Sequence, residues 1–142
     1  APRRTDGRGA PSFMVDGPEK KPSSILIVED QAPLARALML KLQGAGFSPE
    51  VLSDGGEVVD RIKKTHYNLI ILDLVMPNKD GFDVLAGLRE ADKTIPVIIW
   101  SNLSQPEDIS RAKRLGATDY WVKLGTSLAV VVERIAKLLG AH

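Results

Sequence analysis

The sequence predicts an α/β protein in which a five-stranded parallel sheet is covered by helices on both faces. Five short apolar segments alternate along the chain with five segments whose apolar residues recur at helical spacing. Residues 25–28 and Leu69–Leu72 are apolar throughout, a pattern typical of strands buried on both faces. This alternation favours a doubly wound sheet with right-handed crossovers.

The first strand, at residues 25–28, leads into a helix and then a weaker strand, Ser48–Leu52. Pro33 suits a first helical turn, and Gly44 and Gly46 are expected to end the first helix. The apolar stripe of this helix comprises Leu34, Leu38 and Leu42.

The second and third helices flank the strand Leu69–Leu72. Asp54 and Glu57 have the spacing of a capping box at the start of the second helix. The two apolar stripes are Val58, Val59 and Ile62 in the second helix, and Phe82, Leu85 and Leu88 in the third.

The fourth strand is predicted at residues 96–100, with Pro96 at its first position, where a missing N–H is tolerated. The fourth helix is expected to begin at Pro106, after Ser104 or Gln105, and to end at Gly116. Its charges suit the helix dipole: Glu107 and Asp108 in the first turn, Lys113 and Arg114 in the last.

The fifth strand, Asp119–Val122, precedes a final helix that Ser127 can cap. The apolar face of this helix is expected to comprise Leu128, Val131, Val132, Ile135, Leu138 and Leu139.

Composition separates an N-terminal tail from the body. Residues 1–23 are rich in proline, glycine and charge, so we expect a disordered or linker-like tail, and a folded domain at 24–140. Residues 1–24 carry five Lys/Arg and three Asp/Glu, a net charge of +2. The remaining residues carry 14 bases and 15 acids, a net of −1, and this near-neutral body indicates no nucleic-acid contact.

The chain has no cysteine, which excludes disulfides and thiolate metal sites and fits a reducing compartment. No apolar run approaches the ~18 residues of a membrane span, and no signal peptide is visible. We therefore expect a cytoplasmic protein without membrane contact.

Polar residues follow four of the strands. Glu29 and Asp30 come after the first strand and Asp73 after the third, while Ser101 follows the fourth and Lys123 the fifth. In a doubly wound sheet, ligands bind at the carboxyl ends of the strands. We therefore expect three carboxylates, a hydroxyl and an ammonium to converge on one edge.

Three neighbouring carboxylates repel one another unless a cation intervenes. Lys123 can pair with one, and an all-oxygen set suits Mg²⁺, or Mn²⁺ in its place, rather than zinc. Mg²⁺ often binds beside phosphate oxygens, and a carboxylate such as Asp73 can form an aspartyl phosphate. The cluster therefore indicates phosphoryl chemistry with Asp73 as nucleophile, although Asp30 alone could be only a helix cap.

The motifs LIVED (26–30), LIILDLVMPNKDGFDVL (69–85), PVIIWS (96–101) and GATDYWVK (116–123) together resemble a receiver domain of a bacterial two-component response regulator. The resemblance covers about residues 24–140 and implies a flavodoxin-like (βα)5 fold with strand order 2-1-3-4-5. It also implies a phosphorelay signalling protein rather than a turnover enzyme.

The resemblance implies a role for each matching position. Asp73 is the implied phosphoacceptor for a histidine kinase or histidine phosphotransfer protein. Lys123 contacts the phosphoryl group, Ser101 is the switch hydroxyl, and Tyr120 moves between outward and inward positions. Mg²⁺ is implied to bind Glu29, Asp30, Asp73 and the main-chain carbonyl of Val75. Phosphorylation reshapes the face of the fourth helix, fifth strand and fifth helix for a downstream partner, an effector domain or a second copy.

The sequence departs from the family pattern at several positions. Leu124 follows the lysine where the family has proline, so we expect a differently shaped loop. Trp100 replaces a smaller aliphatic residue and is expected to fill the core or crowd the switch. Val75 and Leu103 are apolar where the family often has polar residues, so we expect slow hydrolysis of the phosphoryl form.

Two other functional classes remain open. One is a phosphatase with an aspartate nucleophile, which needs a second aspartate two residues later as a general acid. Val75 occupies that position, so the sequence argues against this class. A receiver-like interaction domain that no longer depends on phosphate remains an alternative because the loop proline is missing. The sequence ends soon after the fifth helix, so we expect either a stand-alone receiver or a receiver excised from a longer regulator.

Overall fold

The computed structural model describes residues 21–140, in which five parallel strands form one sheet flanked by five α-helices. The strands are β1 Ser24–Val28, β2 Ser48–Leu52, β3 Leu69–Leu72, β4 Val97–Ser101 and β5 Asp119–Val122. The helices are α1 Ala32–Gly44, α2 Val58–Lys64, α3 Gly81–Ala91, α4 Pro106–Arg114 and α5 Leu128–Leu138. The strand order, β2-β1-β3-β4-β5, confirms the predicted fold class.

The sheet separates two apolar cores. One core contains the buried residues of α2, α3 and α4, and the other those of α1 and α5. Alternate residues of β1, β3 and β4 contribute to the two cores, since successive side chains of a strand point to opposite faces. Burial on both faces explains why the central residues of these strands are all apolar.

Some local predictions were wrong. The capping box does not form: Asp54 instead accepts a hydrogen bond from the Gly56 amide, and Gly55–Glu57 make a 3-10 turn before α2. The Asp54 carboxylate accepts from the amide two residues later instead of three, so a 3-10 turn forms where the capping box was expected. Pro96 lies before β4, and its carbonyl accepts a hydrogen bond from the Ile70 amide.

Helix ends match the predicted caps more closely. The Ser127 side chain accepts a hydrogen bond from the Val130 amide and caps α5, as predicted. Gly44 lies inside the last turn of α1, and Gly46, with φ of 95°, makes the turn that follows. Leu138 was predicted to lie on the apolar face of the last helix, but its side chain is 47% exposed, at the edge of a groove that Trp121 of β5 also lines.

The predicted tail at 1–23 falls mostly on residues 1–20, which lie outside the described residues, as does His142. No helix in residues 21–140 combines the length and hydropathy needed to cross a membrane.

The strand register aligns the carboxyl ends of the central strands. Val28 of β1 pairs with Leu72 of β3, and Leu72 pairs with Ile99 of β4. Ser101, the last residue of β4, pairs with Val122, the last residue of β5. The residues that follow these strands therefore meet at one edge of the sheet.

Candidate functional site

Three carboxylates lie together at this edge. Glu29, Asp30 and Asp73 each offer an oxygen, and these oxygens lie within 4.8 Å of one another. The Glu29 and Asp73 side chains are buried, while Asp30 is half-buried. The Asp73 amide donates to the Val28 carbonyl at 3.1 Å, so β1 fixes the position where β3 ends. Sheet pairing thus brings together acids that are far apart in sequence.

Lys123 lies between two of these acids. Its Nζ donates to Glu29 Oε1 at 2.5 Å and to Asp73 Oδ2 at 2.9 Å. The Lys123 amide donates to the Ser101 carbonyl at 2.9 Å, which aligns the end of β5 with the end of β4. The lysine therefore bridges carboxylates from β1 and β3 across the edge.

The ionisation of this cluster follows from burial and pairing. Burial raises the pKa of Glu29, and the nearby Asp73 charge raises it further, although hydrogen bonds from Lys123 and the Gln31 amide oppose this. Burial lowers the pKa of Lys123, but its hydrogen bonds to Glu29 and Asp73 outweigh that effect, so its pKa lies above the usual value. The ammonium form of Lys123 is thus the one that this site stabilises.

Backbone amides orient the carboxylates. Glu29 Oε2 accepts from the Gln31 amide at 3.0 Å, and Asp73 Oδ1 accepts from the Val75 amide at 3.1 Å. Asp30 does not cap α1, because Gln31 stands at the cap position and makes no side-chain cap bond. Asp30 is therefore not a helix cap, and its carboxylate lies in the acidic cluster.

The donor set fits a hard divalent cation. Three carboxylate oxygens lie within reach of one ion, and a cysteine ligand is excluded by the sequence. Part of the cluster's negative charge is already balanced by Lys123. The chemistry of the cluster therefore suits a divalent cation, with Lys123 already paired to two of the three carboxylates.

The loop after β3 depends on a close approach of the backbone. Gly81 donates its amide hydrogen to the Leu74 carbonyl at 3.1 Å, and Val75 pairs with Asp80 in an antiparallel bridge. A Cβ at Gly81 would lie 2.3 Å from the Leu74 Cα. Only glycine allows this approach, which holds the chain directly after Asp73 in place.

Ser101 and Tyr120 both contact the backbone of Leu103. The Ser101 hydroxyl oxygen accepts from the Leu103 amide at 3.3 Å, and the Tyr120 hydroxyl donates to the Leu103 carbonyl at 2.5 Å. Ser101 is buried, and the half-buried Tyr120 packs against the core on the side of α4. The loop between β4 and α4 therefore links both side chains.

The loop after Lys123 makes a contact that the sequence did not reveal. The Leu124 amide donates to Asn102 Oδ1 at 3.1 Å, a bond that a proline at position 124 could not donate. The Leu124 side chain itself is 78% exposed. Leu124 and Asn102 lie 22 residues apart, so only the pairing of β4 with β5 identifies them as partners.

Trp100 fills the core, as expected, and also reaches the site. Its side chain is buried in the core formed with α1 and α5, and Lys123 Nζ lies 5.1 Å from the centroid of its ring. The sequence pattern placed Trp100 in β4 but gave no sign of this contact. His66 is exposed in the loop before β3.

Comparison with known proteins identifies the family. The family model for the response regulator receiver domain matches residues 25–135. The probable transcriptional regulator ycf27 of Porphyridium aerugineum is 37% identical over 99 residues, which are 70% of this chain and 41% of that protein. The DNA-binding response regulator MtrA of Mycobacterium tuberculosis is 34% identical over 99 residues, which are 70% of this chain and 43% of MtrA.

Solved structures of receiver domains are similar to this chain as well. The receiver domain of the Francisella response regulator 1452 has a TM-score of 0.76 and 29% identity, covering 83% of this chain and 97% of that one. The BeF3-activated N-terminal receiver domain of Klebsiella pneumoniae RstA has a TM-score of 0.76 and 25% identity, covering 82% and 98%. The chain spans less than half the length of the two regulators matched by sequence. It belongs to the response regulator receiver domain family of two-component systems.

Proposed function

We propose that this domain receives a phosphoryl group on Asp73 from a histidine kinase or a histidine phosphotransfer protein. The observation that carries the proposal is the position of Asp73, buried at the carboxyl edge, paired with Lys123 and clustered with Glu29 and Asp30. Phosphoryl transfer requires chiefly positioning and charge neutralisation, and this cluster can supply both.

In the proposed step, a carboxylate oxygen of Asp73 attacks the phosphorus atom, and the phosphorus–nitrogen bond of the donor phosphohistidine breaks. The departing imidazole keeps the electron pair of that bond and takes up a proton. The Lys123 ammonium, already 2.9 Å from Asp73, contacts the negative oxygens of the incoming group. The reaction modifies the receiver once, so the domain acts as a signal carrier and not as a turnover enzyme.

The proposed metal ligands are Glu29, Asp30, Asp73 and the main-chain carbonyl of Val75. Mg²⁺, or Mn²⁺ in its place, supplies positive charge that neutralises the phosphoryl oxygens when it is bound. The all-oxygen donor set supports this choice of cation.

We propose that phosphorylation is transmitted through Ser101 and Tyr120. A phosphoryl group on Asp73 offers acceptor oxygens to the Ser101 hydroxyl, which now accepts from Leu103. Movement of Ser101 alters the loop that Tyr120 also contacts, and thereby the face formed by α4, β5 and α5. That face then binds a downstream protein, an effector domain or a second copy, without nucleic-acid contact by this domain. We further propose a cytoplasmic setting, since the cysteine-free sequence suits a reducing compartment.

The test is incubation with acetyl phosphate and Mg²⁺, followed by mass spectrometry of the intact protein. The wild-type chain is expected to gain one phosphoryl group, and Asp73→Asn to gain none. Asp83→Asn, an exposed aspartate in the first turn of α3, serves as the matched control and is expected to react normally. Absence of a mass increase in the wild-type chain with acetyl phosphate, together with no binding of beryllofluoride in a titration, would contradict the proposal and favour a phosphate-independent interaction domain.

A further inference from the structure

Trp100 combines full burial with a hydrogen-bond donor that is unpaired among the described residues, and packing alone does not explain this combination. Its side chain is among the largest that are fully buried, yet its indole Nε1–H has no hydrogen-bond partner in the described part of the chain. A buried unpaired donor costs free energy, and a leucine or phenylalanine could fill apolar space without that cost. A favourable contact of the indole ring would offset this cost.

The compensating contact is with Lys123. The Lys123 Nζ lies 5.1 Å from the centroid of the Trp100 ring, within the range of a cation–π interaction. Both side chains are largely withdrawn from solvent, and water screens such an attraction little there. Tryptophan offers the most favourable ring face to a cation among the aromatic side chains.

The position of Trp100 in β4 explains how it reaches the lysine. Trp100 pairs with Trp121 in the register of β4 and β5, and Lys123 follows two residues after Trp121. The indole therefore packs beside the Lys123 side chain on the α1 and α5 side, while Glu29 and Asp73 bind the ammonium. Without the ring, the lysine side chain has fewer contacts that fix its direction.

We propose that Trp100 is a positioning residue for Lys123 and holds the lysine ammonium against Asp73 through its ring face. This inference rests on the proposed function, because the value of the position lies in the contact of Lys123 with a phosphoryl group. Trp100 is not one of the proposed metal ligands, so it acts on the phosphoryl group only through Lys123.

The test compares Trp100→Phe, which keeps a ring, with Trp100→Leu, which does not. Beryllofluoride affinity is measured at saturating Mg²⁺ on the whole chain, at a temperature where each variant is folded. Trp100→Leu is expected to bind about three- to tenfold more weakly, and Trp100→Phe to recover most of the wild-type affinity. Trp121→Leu, the same substitution at the other buried tryptophan, is the matched control and is expected to bind within about twofold of wild type, because the cation at the Trp121 ring is Arg134 and not Lys123.

Equal affinity of Trp100→Leu and wild type would overturn the inference, as would an equal loss in Trp121→Leu. A second readout is the proton spectrum of the Lys123 ε-methylene, which the indole ring current should shift upfield in the wild-type chain. An unshifted signal overturns the inference even if Trp100→Leu does not fold. A wild-type chain that binds no beryllofluoride refutes the proposed function, whereas the ε-methylene signal still decides whether Trp100 holds Lys123.

Discussion

The Asn102 side chain accepts a hydrogen bond from the Leu124 amide at 3.1 Å, and this bond ties the loop after β5 to the end of β4. Leu124 directly follows Lys123, so the bond fixes the backbone that carries the lysine. The hydrogen bond thereby restrains this loop, and a proline at position 124 could not donate it.

Removal of this hydrogen bond should loosen the loop. Asn102→Ala is expected to lower the free energy of unfolding by about 0.5–1 kcal/mol, since the bond is solvent-exposed. In a Leu124→Pro background, Asn102→Ala should not lower the free energy of unfolding further, because the hydrogen-bond donor is already absent. Urea denaturation of the four proteins of this cycle measures the coupling. Asn78→Ala, at an exposed asparagine in the loop after β3, is the control, and additivity in the cycle would contradict the proposed restraint.

Removal of the Lys123 ammonium should strengthen the binding of Mg²⁺ and weaken the binding of beryllofluoride. Lys123→Met is expected to tighten Mg²⁺ binding about tenfold, because a competing cation leaves Glu29 and Asp73, and to weaken beryllofluoride binding. Isothermal titration measures both affinities. Lys79→Met, at an exposed lysine, should change neither, and weaker Mg²⁺ binding in Lys123→Met would count against competition.

Mg²⁺ affinity should also depend on pH. The pKa of Glu29 lies above its usual 4.5, and protonated Glu29 does not bind a cation. The Mg²⁺ affinity is therefore expected to increase as the pH rises through the raised pKa of Glu29. Lys123→Met removes hydrogen bonds that lower this pKa, so the rise in affinity should move to higher pH. Titrations at a series of pH values test the direction, and a shift to lower pH would refute it.

The phosphoryl form should be long-lived. The Val75 side chain is 55% exposed beside Asp73 and offers no polar group to orient an attacking water. Val75→Asn is expected to accelerate phosphate release about fivefold by supplying such a group, and Val75→Ile to leave it unchanged. Decay of phosphorylated protein after removal of the donor gives the rates. A wild-type half-life of seconds would contradict slow hydrolysis.

Gly81 should not tolerate a side chain. Gly81→Ala places a Cβ against the backbone of Leu74 and is expected to cost about 2–3 kcal/mol of stability. Gly87→Ala, in the middle of α3, meets only a Val59 methyl at 3.4 Å and should be neutral or stabilising by up to about 1 kcal/mol. Thermal unfolding of both variants makes the comparison, and equal stabilities would show that the loop after β3 can move aside.

Local signals in the sequence were sufficient where one element determines its own structure. The fully apolar runs of β1 and β3 required burial on both faces, which predicted the layered fold. Polar residues at the strand ends then identified the edge where Glu29, Asp73 and Lys123 meet. The capping box at Asp54 was wrong because the Asp54 side chain bonds the Gly56 amide, and a 3-10 turn precedes α2.

The sheet, its helical layers and the residue types at its carboxyl edge could be predicted from the sequence, because hydrophobic periodicity and turn residues act over short distances. Three contacts became known only from the folded structure: Lys123 bridges Glu29 and Asp73, Asn102 bonds Leu124, and Trp100 lies against Lys123. Each of these contacts joins residues that lie at the carboxyl ends of different strands. Their geometry depends on strand register and side-chain packing, which no local pattern in the chain encodes.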